Sequence, residues 1–321
     1  MNFVREASVF PSSDGKHMCE AILYMPSGAA RGAVQIAHGM AEHIGRYEGL
    51  FRDLAEAGYV VAGASHLGHG NTAASQEELG FFGEGDGEKF LLADLYKVNK
   101  QLRRRFPTLP VALLGHSMGS FLARLYAVEK PDSIDALILH GTGGSNPLLP
   151  LGKLTAYIIE QCRGGKHRSG LLRSLAFSGY NSHFKGEGEY AWLSRRPDVR
   201  EAYEADPLCG FTFTVSAYRA LFRMVGASNS KDWYGAYPKS LPVLIMSGEE
   251  DPVGNYGRGP RQVYKRLLLA GAEDVTLKTY AGARHELLQE ENTGEVVSDM
   301  LAWLSEKLIG ASGAEMTAEV N

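Results

Sequence analysis

A serine hydroxyl becomes a nucleophile where a turn exposes it and a base takes its proton. The run Gly115-His116-Ser117-Met118-Gly119 offers such a turn. By itself the pattern says little: with 38 glycines among 321 residues, chance supplies one in roughly a third of such chains. Its surroundings carry the weight. It follows the apolar stretch Leu109-Pro110-Val111-Ala112-Leu113-Leu114 and opens an amphipathic run through Tyr126. That is a strand-to-helix elbow, with glycines to permit the turn and a helix N-terminus to favour developing negative charge. Serine, acid and histidine follow one another in that order on such elbows. Beyond residue 183 the chain holds a single histidine, His285, after the strand-like Asp274–Gly282. The acid should sit just past a strand end between the two. Asp251 follows Leu241–Gly248 and precedes Pro252, which restrains its direction; Glu249 and Glu250 are rivals by type. The chemistry expected is acyl transfer, with Ser117 as nucleophile, His285 as base and Asp251 orienting the imidazole. The oxyanion would be met by two backbone N–H groups, that of Met118 and that of Met40 in the His38-Gly39-Met40 loop.

These residues need a scaffold that brings strand ends together. From residue 32 onward, short apolar runs alternate with helical ones: 32–39, 58–65, 109–115, 134–141, 241–248 and 274–282 read as strands. Helices are expected over 47–57, 88–106, 118–129 and about 261–270, with a last one through Trp303 and Leu308. Nearly continuous apolar runs are what parallel strands buried on both faces require. The class expected is α/β, a mostly parallel sheet flanked by helices, preceded by a hairpin turning at Ser12–Gly15. About a hundred residues between 141 and 241 do not read as strands, far more than one crossover needs. They contain amphipathic pieces, among them Leu151, Leu154 and Ile158, and Tyr218, Leu221, Phe222 and Val225. The expected organisation is a core of 1–143 and 236–309, a helical cap over 144–235, and a disordered tail over 310–321. Leu154, Ile158, Phe211, Phe213, Tyr218, Leu221 and Phe222 are candidates for the wall of an acyl-chain groove under that cap.

Composition narrows the alternatives. The chain is 44% apolar with a net charge of −4, which gives no nucleic-acid footprint. Arg103-Arg104-Arg105 suits a helix C-terminus, and Arg163 to Arg173 reads as a solvated loop. Cys19, Cys162 and Cys209 are odd in number and have no zinc spacing, so free thiols in a reducing, cytoplasmic setting are expected, with no metal or cofactor. No signal peptide and no transmembrane run is read, although transient contact with a membrane surface is compatible with the composition.

Five segments in order, 38–47 (HGMAEHIGRY), 66–72 (HLGHGNT), 115–120 (GHSMGS), 251–254 (DPVG) and 282–286 (GARHE), resemble the monoacylglycerol lipase and lysophospholipase-like branch of the α/β-hydrolases. Bacterial members of that branch are often grouped with the S33 serine aminopeptidases. The resemblance spans about residues 10–308 and includes the cap segment 192–214. It implies a carboxylic-ester hydrolase acting through an acyl-enzyme on monoacylglycerol, lysophospholipid or similar small acyl esters, with Ser117, Asp251 and His285 as triad and Met40 and Met118 as oxyanion donors. Glu42 and Arg46 match polar positions near the family's mouth and read equally as a surface ion pair. One departure stands out: Ser65 occupies a position where the family usually has aspartate, so looser packing of that loop is expected, with catalysis untouched. Two rivals stay open. An aminopeptidase would need an acidic anchor in the cap, for which Glu187, Glu189, Glu201 and Glu204 are available, and a non-catalytic binding module could use the same scaffold.

Overall fold

The structure, a computed structural model, describes residues 3–309; the tail over 310–321 lies outside them. The chain opens with the hairpin β1 (Phe3–Pro11) and β2 (Met18–Pro26), in register at Phe10 and Cys19. Then come β3 (Gly32–Ala37), α1 (Glu48–Glu56), β4 (Tyr59–Ala64), α2 (Gly87–Arg105), β5 (Val111–His116), α3 (Met118–Glu129) and β6 (Ala136–His140). Five helices follow without a strand: α4 (Leu149–Arg163), α5 (Gly170–Phe177), α6 (Pro197–Ala205), α7 (Val215–Ser228) and α8 (Lys231–Ala236). The alternation resumes with β7 (Val243–Gly248), α9 (Arg258–Leu269), β8 (Val275–Tyr280) and α10 (Thr293–Leu304).

All eight strands form one sheet in the order β1-β2-β4-β3-β5-β6-β7-β8. The hairpin joins it antiparallel, and every pairing from β4 to β8 is parallel. The sheet is mostly parallel, as the alternation of apolar runs requires. Side chains of successive strand residues leave on opposite faces. Leu113, Leu137, Leu139, Val243 and Ile245 pack with α2, α3 and α9 through Leu95, Leu122, Val263 and Leu267. Leu114, Ile138, Leu244 and Met246 meet α1 and α10 through Phe51, Leu54, Val296 and Met300 on the other face. Two-sided burial is why these strands carry no polar alternation.

Two sequence expectations take a different form. The Arg163–Arg173 stretch is not a solvated loop: α5 begins inside it, and the Arg168 guanidinium donates to the carbonyls of Glu77, Leu79 and Thr212. Ser65 leaves no packing gap, because its hydroxyl donates to Glu20 of β2 at 3.0 Å. That carboxylate also accepts the Asn71 side-chain amide at 2.8 Å. A carboxylate from the neighbouring strand thus braces the loop.

Candidate active site

The elbow forms where β5 meets α3. Ser117 sits at φ 51°, ψ −117°, a strained conformation for a residue with a side chain and one that over-packed surroundings must hold. A Cβ on Gly115 would collide with the Gly119 carbonyl, and one on Gly119 with the carbonyls of Ala37 and His38. The two glycines let three backbone segments meet behind the serine. Ser117 caps α3 without using its side chain for the cap, so the hydroxyl remains available.

His285 and Asp251 reach this point from the ends of β8 and β7. His285 Nδ1 lies 3.0 Å from Asp251 Oδ2, with both side chains buried. Asp251 is aimed by its own loop, since Oδ1 accepts the Val253 N–H at 2.8 Å. Of its rivals, Glu249 accepts from the Thr279 hydroxyl and Glu250 is exposed near Arg284; both point away from the imidazole. The ring of His285 passes so close to Gly141 that a Cβ there would stand 3.1 Å from Cε1. Its backbone is tied to the segment between α5 and α6, with His285 N–H donating to Trp192 O at 3.3 Å and Glu286 N–H to Leu193 O at 2.8 Å. Ser117 and His285 line one cavity, and neither Ser117 Oγ nor His285 Nε2 has a hydrogen-bond partner among the described residues.

Protonation singles out His285 among the buried histidines. Burial lowers all of them, but for His285 the charge and hydrogen bond of Asp251 outweigh it and raise the imidazole above its ordinary value. Burial brings His116 and His66 down to about 4 and His69 to about 3, and holds His38 and His140 well below the usual range. Only one of these rings both has a carboxylate partner and lines the cavity that Ser117 lines.

The N–H groups of Met40 and Met118 have no acceptor among the described residues, and both residues line the cavity beside Ser117. The Met40 loop is built from both sides. Gly39 N–H donates to Glu42 Oε1 at 2.5 Å, and Glu42 also accepts from the Tyr47 hydroxyl at 2.8 Å. From α6 and the turn after it, the Tyr203 hydroxyl and the Gly210 N–H both donate to Ala41 O, at 2.8 and 3.0 Å. Arg46 grips Glu286 through two hydrogen bonds of 2.6 and 2.8 Å, bonds Glu42 at 2.8 Å and lies over the Tyr203 ring. Glu42 and Arg46 are therefore not a surface pair. Burial would raise the Glu42 carboxyl, but the Arg46 charge holds it below its ordinary value. Paired burial of this kind fixes geometry because losing either partner strands a charge. No local pattern marks the Arg46–Glu286 or Tyr203–Ala41 pairings, which join residues 240 and 162 positions apart.

Over these groups lies a cavity of about 610 Å³, walled by Phe121, Leu149, Phe177, Phe211, Leu221 and Phe222. Its size falls within the ordinary range for small-molecule sites. Of the groove candidates, Phe211, Leu221 and Phe222 line it. Phe213 and Tyr218 are instead fully buried in the core, while Leu154 and Ile158 are half exposed on the outer face of α4. A serine hydroxyl with no competing hydrogen bond, an imidazole and two free N–H groups lining an apolar cavity are the parts that acyl transfer needs.

Comparison with known proteins agrees with that chemistry. Residues 28–292 match the family described as serine aminopeptidase, S33. The chain is 28% identical to the human monoglyceride lipase over 308 residues, covering 94% of this chain and 91% of that protein. It is also 28% identical to the monoacylglycerol lipase of Mycolicibacterium smegmatis over 288 residues, 88% and 91% of the two chains. Among solved structures, a thermostable carboxyl esterase from Bacillus coagulans, in complex with glycerol, superposes with a TM-score of 0.89. That match has 28% identity and covers 96% of this chain and 99% of the esterase.

Proposed function

Because the chain belongs to the serine aminopeptidase S33 family and has the α/β-hydrolase fold, we propose that it hydrolyses monoacylglycerols and similar acyl esters through an acyl-enzyme on Ser117. Ser117 Oγ attacks the ester carbonyl while His285 Nε2 takes its proton. Asp251 holds the imidazole by Nδ1 and stabilises the imidazolium. The N–H groups of Met40 and Met118 receive the oxyanion, each such donor being typically worth about 3 kcal/mol of barrier. His285 then protonates the departing alcohol, and water activated by the same imidazole releases the fatty acid. The observation that supports this reading is that His285, paired with Asp251, lines the same apolar cavity as Ser117.

The cap, taken as residues 144–235, is the lid over the acyl groove. Leu148, Leu151, Leu154, Ile158, Leu171 and Leu175 form an exposed apolar rim on α4 and α5, and Leu148, Leu151 and Leu175 continue into the cavity. We assign that rim to transient contact with a lipid surface, from which the acyl chain enters. No helix among the described residues is long and apolar enough to cross a membrane. Three unpaired thiols suit the cytoplasm.

Peptide trimming would require a free acidic anchor for the substrate amine. Glu187 is taken by Arg284 and Arg200, Glu189 by Arg173, and Glu201 and Glu204 lie outside the cavity lining. The test is a series of p-nitrophenyl esters and monoacylglycerols alongside aminoacyl anilides. Each added methylene should raise kcat/KM about three- to fourfold until the groove fills, from about 0.8 kcal/mol per buried CH₂. A steady decline from acetate onward, or faster cleavage of the anilides, would overturn the reading.

A further inference from the structure

Where the cap meets the Met40 loop, three donors of different chemistry converge. His43 Nε2 stands 2.9 Å from Asp206 Oδ2, and Cys209 offers its sulfur beside them, the three ligand atoms lying within 4.8 Å of one another. Among the described residues this is the one group of three such donors so close together. His43 comes from the core, three residues after Met40; Asp206 and Cys209 come from the turn after α6. Asp206 is preset by its own backbone, with Oδ1 accepting the Leu208 N–H at 2.8 Å. The thiol is buried, whereas the His43 and Asp206 side chains keep 17% and 30% of their surface, leaving an open approach.

We propose that His43 Nε2, Asp206 Oδ2 and Cys209 Sγ bind a divalent cation of the zinc class, which clamps the cap to the loop carrying Met40. Imidazole, carboxylate and thiolate together select zinc over magnesium or calcium, which favour all-oxygen shells. With the three side chains at tetrahedral spacing, water on the open side would be the fourth ligand. The charges balance, since one carboxylate and one thiolate neutralise the dication. The nearby ionised groups, Arg46, Glu42 and Glu286, are already bonded to one another. Coordination takes the thiolate and the neutral imidazole, so binding releases protons to solvent. The inference is independent of the ester chemistry, because the cation touches none of the reacting groups.

The test uses the full chain kept reduced by a phosphine. Cobalt(II) chloride should bind one equivalent per chain, with a thiolate-to-cobalt charge-transfer band and the visible bands of four-coordinate cobalt, both displaced by zinc chloride. Zinc should raise Tm, and apparent affinity should rise with pH as ligand protons are released. Cys209→Ser should lose the charge-transfer band, His43→Gln should lose the Tm shift, and Cys162→Ser should keep both, each variant being checked for native circular dichroism. Absence of the band in the folded wild type, or its persistence in Cys209→Ser, would overturn the proposal.

Discussion

Lowering the pH from about 7.5 to 5 should unfold this protein far more steeply than its carboxylates alone would require. Five buried histidines, His38, His66, His69, His116 and His140, are held neutral by burial. Their hydrogen bonds enforce this. His38 Nε2 accepts the His66 N–H at 2.9 Å, and His116 Nδ1 faces His140 Nδ1 at 2.6 Å, a contact that allows only one proton between them. Because their folded values lie below the unfolded value of about 6.5, the unfolded chain binds more protons between roughly pH 6.5 and 4. The stability they contribute is full above that window and falls with pH inside it. At pH 5 nearly one proton per ring separates the two states, giving a slope of about 6 kcal/mol per pH unit. A typical domain has only about 5–15 kcal/mol to lose, so the acid midpoint should fall near pH 5. His285 and His17 are raised, so their contribution is present below 6.5 and is lost only as pH climbs through their folded values. Asp14, held at about 2, acts below this window. Urea unfolding curves at stepped pH would measure the slope. His69 sits among the rings of Phe82, Phe211 and Phe213, so His69→Phe should keep the fold and reduce the slope by about 1.4 kcal/mol per pH unit. Stability that changes by less than about 1 kcal/mol between pH 7 and 5 would refute the assignment of neutral buried rings.

Further predictions concern the oxyanion loop and the apolar rim. Met40→Ala should retain most of its turnover, whereas Met40→Pro, checked for folding by circular dichroism, should lose ~10²–10³-fold by deleting the N–H donor. Equal losses in two folded variants would point to the side chain instead. Leu154→Ser combined with Ile158→Ser should cut activity on vesicle-borne monoacylglycerol by about tenfold or more while sparing a soluble short-chain ester, since each buried methylene adds ~0.8 kcal/mol to surface binding. Equal effects on both substrates would remove the rim from lipid contact.

What could be read from the sequence follows from how local the determinants are. The elbow was legible because its constraint is local: two glycines four positions apart, between an apolar strand and a helix, admit little else. Asp251 could be preferred to Glu249 and Glu250 because Pro252 restrains it, and the helical insertion between β6 and β7 was visible as surplus length between strands. The direction each side chain of that insertion takes was not legible. Tyr218 and Leu221 share one amphipathic pattern, yet Tyr218 packs in the core and Leu221 lines the cavity. Long-range polar pairs were equally silent. Glu42 and Arg46 read as surface residues because their burial depends on Glu286 and Tyr203, which only the folded chain brings near.

The central claim is that Ser117, activated by His285, carries the acyl group. Reaction with a fluorophosphonate, followed by mass mapping of the peptide, tests it directly when run beside monoacylglycerol hydrolysis. The account predicts one label per chain on Ser117, no label in Ser117→Ala, and losses on the order of a million-fold for Ser117→Ala and for His285→Ala with little further loss in the double variant. Label on another residue, or a folded Ser117→Ala enzyme that keeps roughly a tenth of its activity where the triad leaves almost none, would contradict it.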